Sequence, residues 1–166
     1  IFAGKEWFFW LRRLIYMRCV DAYYRQLGVD FSNQVNQGRG AVSNSAMRTK
    51  HGLAAAIIQQ CHFSSEDIFL DVGSGKGSVC MEASFFKFKK IIGVESDPNI
   101  VSICNDNFKR LNVHHVQIFM GDILENKDLI DEATVFYFYE PFKACVFQQI
   151  IEVLIESKHR HPRQLQ

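Results

Sequence analysis

Residues 71–77 read Asp-Val-Gly-Ser-Gly-Lys-Gly and form a glycine-rich turn between two apolar segments. The run before the turn, residues 67–72, predicts a buried strand, and residues 78–86 predict a helix. Glycine permits positive φ and leaves room for a ligand against the backbone. The first turn of a helix offers unpaired N–H groups and the positive end of its dipole, which suit the carboxylate of a cofactor. The pattern predicts either a ligand-binding turn or a sharp strand-to-helix turn with no ligand.

The alternation of strands and helices continues along the chain from residue 47. The predicted strands are 67–72, 90–95, 115–120 and 133–139, and the predicted helices are 47–61, 78–86, 98–111 and 143–157. Pro98 fits the first turn of its helix, where the missing N–H has no intrahelical role. Strands separated by helices of this length predict βαβ units with right-handed crossovers. We therefore expect an α/β fold with a parallel sheet.

The spacing of the glycines distinguishes two classes of cofactor. A dinucleotide fingerprint, G-x-G-x-x-G/A, needs Gly or Ala at position 78, where this chain has Ser78. An NAD(P)-dependent oxidoreductase is therefore the less favoured alternative. The G-x-G-x-G loop, with an acid two positions before it, resembles motif I of the class I S-adenosylmethionine (SAM)-dependent methyltransferases. The resemblance implies a Rossmann-like parallel sheet. It also implies that Asp71 holds the methionine end of SAM, directly or through water, and that the backbone of the loop lines the cofactor at Gly73, Ser74, Gly75 and Gly77.

Two further strand ends carry acidic residues at positions that fit this family. Glu95 ends the second strand, where a carboxylate can accept hydrogen bonds from both ribose hydroxyls. Ser96, which follows it, is a further candidate cofactor-binding residue. Asp122 follows the third strand, and the resemblance implies that it meets the adenine amine, with the backbone N–H of Ile123 near the ring. Each feature alone is an ordinary strand-end carboxylate or turn. Together they lie at the carboxyl ends of parallel strands, where α/β sheets bind ligands.

The end of the fourth strand, Tyr139-Glu140-Pro141-Phe142, bears on the methyl acceptor. Amino-methylating branches of the family often carry Asn or Asp, then Pro-Pro and an aromatic residue here. This chain has Glu140 and a single proline, which disfavours an adenine or cytosine acceptor. We expect Glu140 to hydrogen-bond an amine or the cofactor and Phe142 to shape the acceptor side, so both are candidate catalytic residues. The alternative is that Glu140 caps the helix predicted at 143.

A closer likeness covers residues 65–79 together with Gly93-Val94-Glu95. These residues resemble the non-SET histone lysine methyltransferases of the disruptor-of-telomeric-silencing type. In those enzymes strand four ends in Asn-Asn-Phe or similar, and Tyr-Gly-Glu precedes motif I, where this chain reads Lys50-His51-Gly52-Leu53. We therefore predict a SAM-dependent methyltransferase with protein lysine favoured over a small molecule or nucleic acid. A non-catalytic SAM-binding or scaffold module is the alternative, because four strands are predicted where class I domains have seven.

The chain divides into three predicted parts. Residues 1–46 form an N-terminal helix (5–27) and a polar loop, residues 47–157 form the SAM-binding core, and residues 158–166 form a basic tail that frays. A four-stranded sheet would expose an apolar edge. We therefore expect a missing C-terminal half or a partner covering that edge.

Composition limits the other partners. The formal charge is +1, which gives no overall attraction to nucleic acid. Charged residues interrupt the apolar stretch 7–27, so no transmembrane segment is predicted. The histidines and the five cysteines lack metal-ligand spacing, so no metal is expected, and the scattered cysteines fit an intracellular location, cytoplasmic or nuclear.

Overall fold

The computed structural model describes residues 18–32, 49–139 and 144–166. Within them, helix α1 covers residues 18–26, and the remaining elements follow in chain order. They are α2 Leu53–Ile58, β1 Ile68–Val72, α3 Ser78–Ala83, β2 Lys90–Glu95, α4 Pro98–Arg110, β3 Val116–Met120, α5 Lys127–Glu132, β4 Val135–Phe138 and α6 Ala144–Arg160. No helix among these residues is long and apolar enough to cross a membrane.

The four strands form one parallel sheet in the order β3-β2-β1-β4. Its register places Asp71 between Gly93 of β2 and Tyr137 of β4. The carboxyl ends of the three adjacent strands therefore meet at one edge, and the turns after β1, β2 and β4 share it. The predicted α/β fold with a Rossmann-like parallel sheet is confirmed.

Both faces of the sheet are buried, because side chains alternate between two apolar clusters. Phe69 and Ile91 pack on one face with residues of α3 and α4, including Cys80 and Phe108. The opposite face carries Leu70, Val72, Ile92 and Val94 against apolar residues of α5 and α6, namely Leu129, Ile130, Val146 and Ile150. Burial on both faces explains why β1 and β2 read as continuous apolar runs in the sequence.

Four of the helices differ from the sequence prediction: α2, α3, α5 and α6, the last of which ends at Arg160 instead of residue 157. Helix α2 was predicted over 47–61 but begins at Leu53, because Gly52 adopts a left-handed conformation with φ 77° that ends the preceding turn. Helix α3 ends at Ala83 instead of residue 86. Helix α5 was not predicted at all: its six residues are mostly charged, and Leu129 and Ile130 alone are buried, too few to show a helical period.

The N-terminal segment is part of the core as far as it is described. Helix α1 leads into residues 27–32, and Val29 and Phe31 are buried in the same cluster as Phe69. The predicted helix 5–27 is confirmed over 18–26, and its earlier part lies outside the described residues. Residues 18–32 thus pack on the α/β core, although the polar loop predicted after them suggested an accessory segment.

The C-terminal tail does not fray, contrary to the prediction from its polar sequence. The guanidinium of Arg163 donates to the carbonyl oxygens of Ile130 at 2.5 Å and Ala133 at 2.8 Å. Gln166 then donates its backbone N–H to Thr134 O and accepts from Phe136 N, both at 2.9 Å. This exchange is the pattern of a parallel neighbouring strand. The tail is held because Arg163 satisfies carbonyls that the end of α5 leaves unpaired.

We expect Arg163→Met to destabilise the fold, because it leaves the carbonyls of Ile130 and Ala133 without their donor. The expected loss is about 1–3 kcal/mol in the free energy of unfolding, measured by urea denaturation. Lys158→Met, which changes an exposed residue of the same basic tail, is the matched control and should stay within about 0.5 kcal/mol of wild type. Equal stability of the two variants would contradict this role for Arg163.

Candidate cofactor site

The turn after β1 depends on three glycines with left-handed backbone. Gly73, Gly75 and Gly77 have φ of 77°, 55° and 87°. The backbone N–H groups of Gly73 and Ser74 both donate to Val94 O at 2.9 Å, which fastens the start of the turn to the end of β2. Residues that carry a side chain adopt such φ values only at a cost of about 1–2 kcal/mol each. The predicted glycine turn is therefore present and lies at the carboxyl edge of the sheet.

Gly75 and Gly77 have different surroundings. A Cβ added at Gly75 would meet no atom within 4 Å, so this residue borders open space. A Cβ at Gly77 would lie 2.6 Å from Cys104 Sγ and 2.8 Å from Phe108 Cε2. Gly77 is therefore required by the packing of α4 against the turn, whereas Gly75 leaves the room that a ligand needs against the backbone.

Ser74 points into the protein. A Cβ on Gly93 would lie 2.8 Å from Ser74 Oγ, so the serine side chain fills the space above β2. Its hydroxyl is buried and has no hydrogen-bond partner among the described residues. Its backbone N–H donates to Val94 O at 2.9 Å and its carbonyl accepts from Gly77 N at 3.0 Å, so both backbone groups are used within the turn and by β2. Its predicted role toward the cofactor stays a prediction.

Glu95 braces the glycine turn through its carboxylate. Oε2 accepts from Gly75 N at 3.0 Å, while Oε1 accepts from Ser96 N at 2.9 Å and Asp97 N at 3.0 Å. A carboxylate has about four acceptor positions, and the backbone uses three of them here. One ribose hydroxyl could therefore bind without change, but a second would have to displace a backbone donor. Ser96 contributes its backbone N–H to Glu95, and its predicted contact with the cofactor stays a prediction.

Asp71 is a buried carboxyl group with an unusual pKa. Its side chain is 3% exposed and accepts a hydrogen bond from Cys80 Sγ at 3.5 Å. Burial raises the pKa of Asp71 to about 7; the negative charge of Glu95 adds to this, and the Cys80 hydrogen bond opposes it. A cationic ligand nearby would favour the ionised form of Asp71. The carboxyl group can therefore change charge near neutral pH beside the glycine turn.

The turn after β3 is connected to Glu95 through the backbone. Gly121 N donates to Glu95 O at 3.0 Å. Asp122 is exposed, and its Oδ1 accepts from Leu124 N at 2.9 Å. The side chain of Ile123 is buried in the cluster under α5 and α6. Asp122 therefore stabilises its own turn, and the adenine contacts predicted for Asp122 and Ile123 stay predictions.

The end of β4 is described up to Tyr139. Tyr137 Oη lies 3.2 Å from Thr49 Oγ1 in a buried hydrogen bond that ties residue 49 to this strand. Glu140 and Phe142, the candidate catalytic residues, lie outside the described residues. Their roles toward the cofactor and the acceptor stay predictions.

Several buried polar residues around the site were not identified from the sequence. Glu82 accepts from Gly52 N at 2.7 Å and Ala55 N at 2.9 Å, so it caps α2 from the neighbouring helix. His51 lies beside it, 3.0 Å from Asp21 Oδ1 of α1. Asn107 is 2% exposed on the apolar face of α4. Asn107 could have been identified from the sequence, because it is a polar residue at a position of α4 where the helical period places apolar residues.

Two solved structures share this fold. An RNA methyltransferase from Salinibacter ruber, in complex with S-adenosyl-L-homocysteine, superposes with a TM-score of 0.55 and 23% identity over 67% of this chain and 71% of its own. Precorrin 8w decarboxylase from Methanobacterium thermoautotrophicum gives a TM-score of 0.57 with 18% identity, covering 68% of this chain and 59% of its own. The fold is thus that of the class I methyltransferases.

The chain belongs to the family described as "Histone methylation protein DOT1", which it matches over residues 32–159. An H3 lysine-79-specific histone-lysine N-methyltransferase from Caenorhabditis elegans is 31% identical over 86% of this chain and 17% of its own length. A probable cobalt-precorrin-6B C(15)-methyltransferase from Methanococcus maripaludis is 30% identical over 66% of this chain. The chain spans 58% of the length of that relative. SAM is the cofactor of the methyltransferases that this chain resembles, one of which is solved with S-adenosyl-L-homocysteine bound.

The raised pKa of Asp71 predicts that stability falls as pH rises from about 4 to about 7. In this window the folded carboxyl group keeps a proton that the unfolded chain has released, so each rise in pH favours unfolding. Asp71→Asn should remove this dependence and should be more stable than wild type at pH 8, by an amount on the order of a few kcal/mol. Urea denaturation at pH 5 and pH 8 measures both effects.

The control for this prediction is Asp106→Asn, which changes an exposed carboxylate on α4. It should keep the pH dependence of the wild type. An Asp71→Asn variant that is less stable than wild type at pH 8 would show that the carboxylate is well solvated or paired in the folded protein.

The two glycines predict opposite effects of an added methyl group. Gly75→Ala should fold, at a backbone cost of about 1–2 kcal/mol, and should weaken S-adenosylhomocysteine binding roughly tenfold or more, because its methyl group enters the open space of the site. Gly77→Ala should instead lower stability beyond that cost, since its methyl group meets Cys104 and Phe108. Calorimetric titration and thermal unfolding distinguish the two. Unchanged binding by a folded Gly75→Ala variant would place the cofactor elsewhere.

Proposed function

We propose that this chain binds SAM at the carboxyl edge of β1 and β2 and transfers the methyl group to an acceptor, with the amine of a protein lysine as the favoured class. The observation that carries the proposal is the glycine turn, open at Gly75 and flanked by the carboxyl groups of Asp71 and Glu95. In this arrangement Asp71 faces the methionine end and Glu95 takes a ribose hydroxyl. Asp122 and the N–H of Ile123 lie toward the adenine.

The residues present fit the charge of the cofactor. SAM is cationic at its ammonium and sulfonium groups, and it supplies an already activated methyl group when bound. Asp71 can ionise near neutral pH, and Glu95 is held in place by three backbone donors. The contribution of the chain is to bind and orient, so that the acceptor lies in line with the methyl group at about 3–3.5 Å.

The lysine acceptor is favoured by the family match and by the H3 lysine-79-specific relative, which aligns with most of this chain. Relatives described as precorrin and ribosomal RNA methyltransferases support a small molecule or RNA instead. We assign Glu140 and Phe142 to the acceptor side: a carboxylate suits an amine, and an aromatic ring packs along an alkyl stem. A histone acceptor implies a nuclear location, and the other acceptors an intracellular one.

The test is methyl transfer from labelled SAM to three substrates: histone H3, free and in nucleosomes; small-subunit ribosomal RNA; and a cobalt-precorrin. We expect label on H3 lysine. Glu140→Gln should slow transfer at least about tenfold, the loss of one charge-assisted hydrogen bond, while S-adenosylhomocysteine affinity changes less. Glu95→Gln should weaken cofactor binding first, which makes it the contrasting variant.

Three results would contradict parts of this proposal. Label on RNA or precorrin alone would exclude lysine but keep methyl transfer. Cofactor binding without transfer to any substrate would indicate a non-catalytic SAM-binding module. A folded chain that binds neither SAM nor S-adenosylhomocysteine would exclude the whole proposal.

A further inference from the structure

Lys76 lies inside the glycine turn, yet its side chain is directed away from solvent. The residue is 8% exposed. Its Nζ donates to Asp30 Oδ2 at 2.6 Å and to Ser32 Oγ at 3.2 Å. Asp30 and Ser32 belong to the segment that follows α1, more than 40 residues earlier in the chain. A charged side chain of the cofactor turn therefore holds the N-terminal segment.

Asn107 completes this connection from α4. Its Oδ1 accepts from Asp30 N at 2.8 Å, and its Nδ2 donates to Asp30 O at 2.9 Å and to Lys76 O at 3.1 Å. A single buried amide thus pairs with both backbone groups of residue 30 and with the carbonyl of the turn. We call Asp30, Lys76 and Asn107 the N-terminal clasp.

The hydrogen bonds of the clasp keep the carboxyl group of Asp30 ionised although it is partly buried. Burial of Asp30 by itself would raise its pKa, but the hydrogen bonds from Lys76 and Ser32 outweigh this and hold the pKa of Asp30 below its usual value. Asp30 is therefore ionised at neutral pH. Neutralising Asp30 would remove the carboxylate that lies 2.6 Å from the buried ammonium of Lys76. Removing one partner of a buried ion pair is costly in a protein interior.

The two halves of the glycine turn are held by different parts of the chain. Val94 O and the Glu95 carboxylate hold Gly73, Ser74 and Gly75 from β2. The clasp holds Lys76, between Gly75 and Gly77. A turn with three left-handed glycines has a large conformational freedom that binding must remove unless the protein has already removed it.

We propose that Lys76 is a positioning residue for the cofactor: through Asp30, it couples docking of residues 27–32 to the conformation of the glycine turn, and thereby to SAM affinity. This inference rests on the proposed SAM site. Lys76 acts without touching the cofactor, since its Nζ is engaged by Asp30 and Ser32. Coupling between two sites is reciprocal, so the cofactor must also stabilise the docked N-terminal segment by the same factor.

The experiment is a double-mutant cycle with S-adenosylhomocysteine as the calorimetric ligand. Lys76→Met and Asp30→Asn should each weaken binding roughly fivefold or more, and the double variant should be no weaker than the worse single variant. All titrations are made well below the unfolding midpoint, because a merely structural role would lower stability without changing the affinity of the folded protein. If Lys76→Met does not fold, Asp30→Asn carries the test. Asp30 is half-exposed and asparagine has nearly the same volume as aspartate, so this variant should fold.

Hydrogen exchange provides the second readout. Saturating S-adenosylhomocysteine should slow exchange of the amides of residues 27–32 in wild type and should do so much less in Asp30→Asn. The control is the exposed ion pair Lys89–Glu66, whose Nζ–Oε2 distance is 3.1 Å. Lys89 precedes β2, at the opposite edge of the sheet from the turn. Lys89→Met and Glu66→Gln should leave both readouts at wild-type values.

The outcomes separate this inference from the proposed function. If wild type binds S-adenosylhomocysteine and the affinity of folded Asp30→Asn is within about twofold of it, the inference is overturned and the proposed SAM site is kept. Additive losses in the cycle, or no change in exchange at residues 27–32, also overturn it. Absence of binding by folded wild type overturns the SAM site itself.

Discussion

The reversal of the chain between β1 and α3 is the constraint on which the rest of the site depends. The backbone must turn at the sheet edge with left-handed φ at Gly73, Gly75 and Gly77, and a side chain at Gly77 would collide with α4. Because the turn carries no side chain at Gly75, its open side stays clear. The carbonyl of Val94 and the carboxylate of Glu95 hold this conformation from the neighbouring strand. The conformation of the glycine turn therefore depends on the pairing of β1 with β2.

Buried polar groups connect the N-terminal segment to this turn and to the helices around it. Glu82 satisfies N–H groups at the start of α2, His51 contacts Asp21 of α1, and Asn107 pairs with residue 30. Groups of this kind are costly when unpaired, so each of them specifies one arrangement of the segments it joins. The segment after α1 is therefore held against the cofactor turn by specific pairing, in addition to the apolar packing of Val29 and Phe31.

The sequence of this chain resembles the DOT1 family at the residues predicted to bind the cofactor and departs from it at the residues predicted to face the acceptor. The glycine turn and Glu95 fit the resemblance, whereas Tyr139-Glu140-Pro141 does not match the Asn-Asn-Phe, or similar, that ends strand four in those enzymes. The relatives are described as methyltransferases that act on different acceptors: histone lysine, precorrin and ribosomal RNA.

The amino-acid sequence alone was sufficient for the α/β class, the four strands, the glycine turn and the acidic residues at strand ends, because each leaves a local pattern of period or spacing. It was insufficient for α5, whose six residues show no period, and for the start of α2, which depends on the backbone of Gly52. The Asp30–Lys76 pair, the three bonds of Asn107 and the pairing of Gln166 with β4 join residues far apart in the chain. Such contacts depend on where the folded backbone brings distant groups together, and only the tertiary structure decides that.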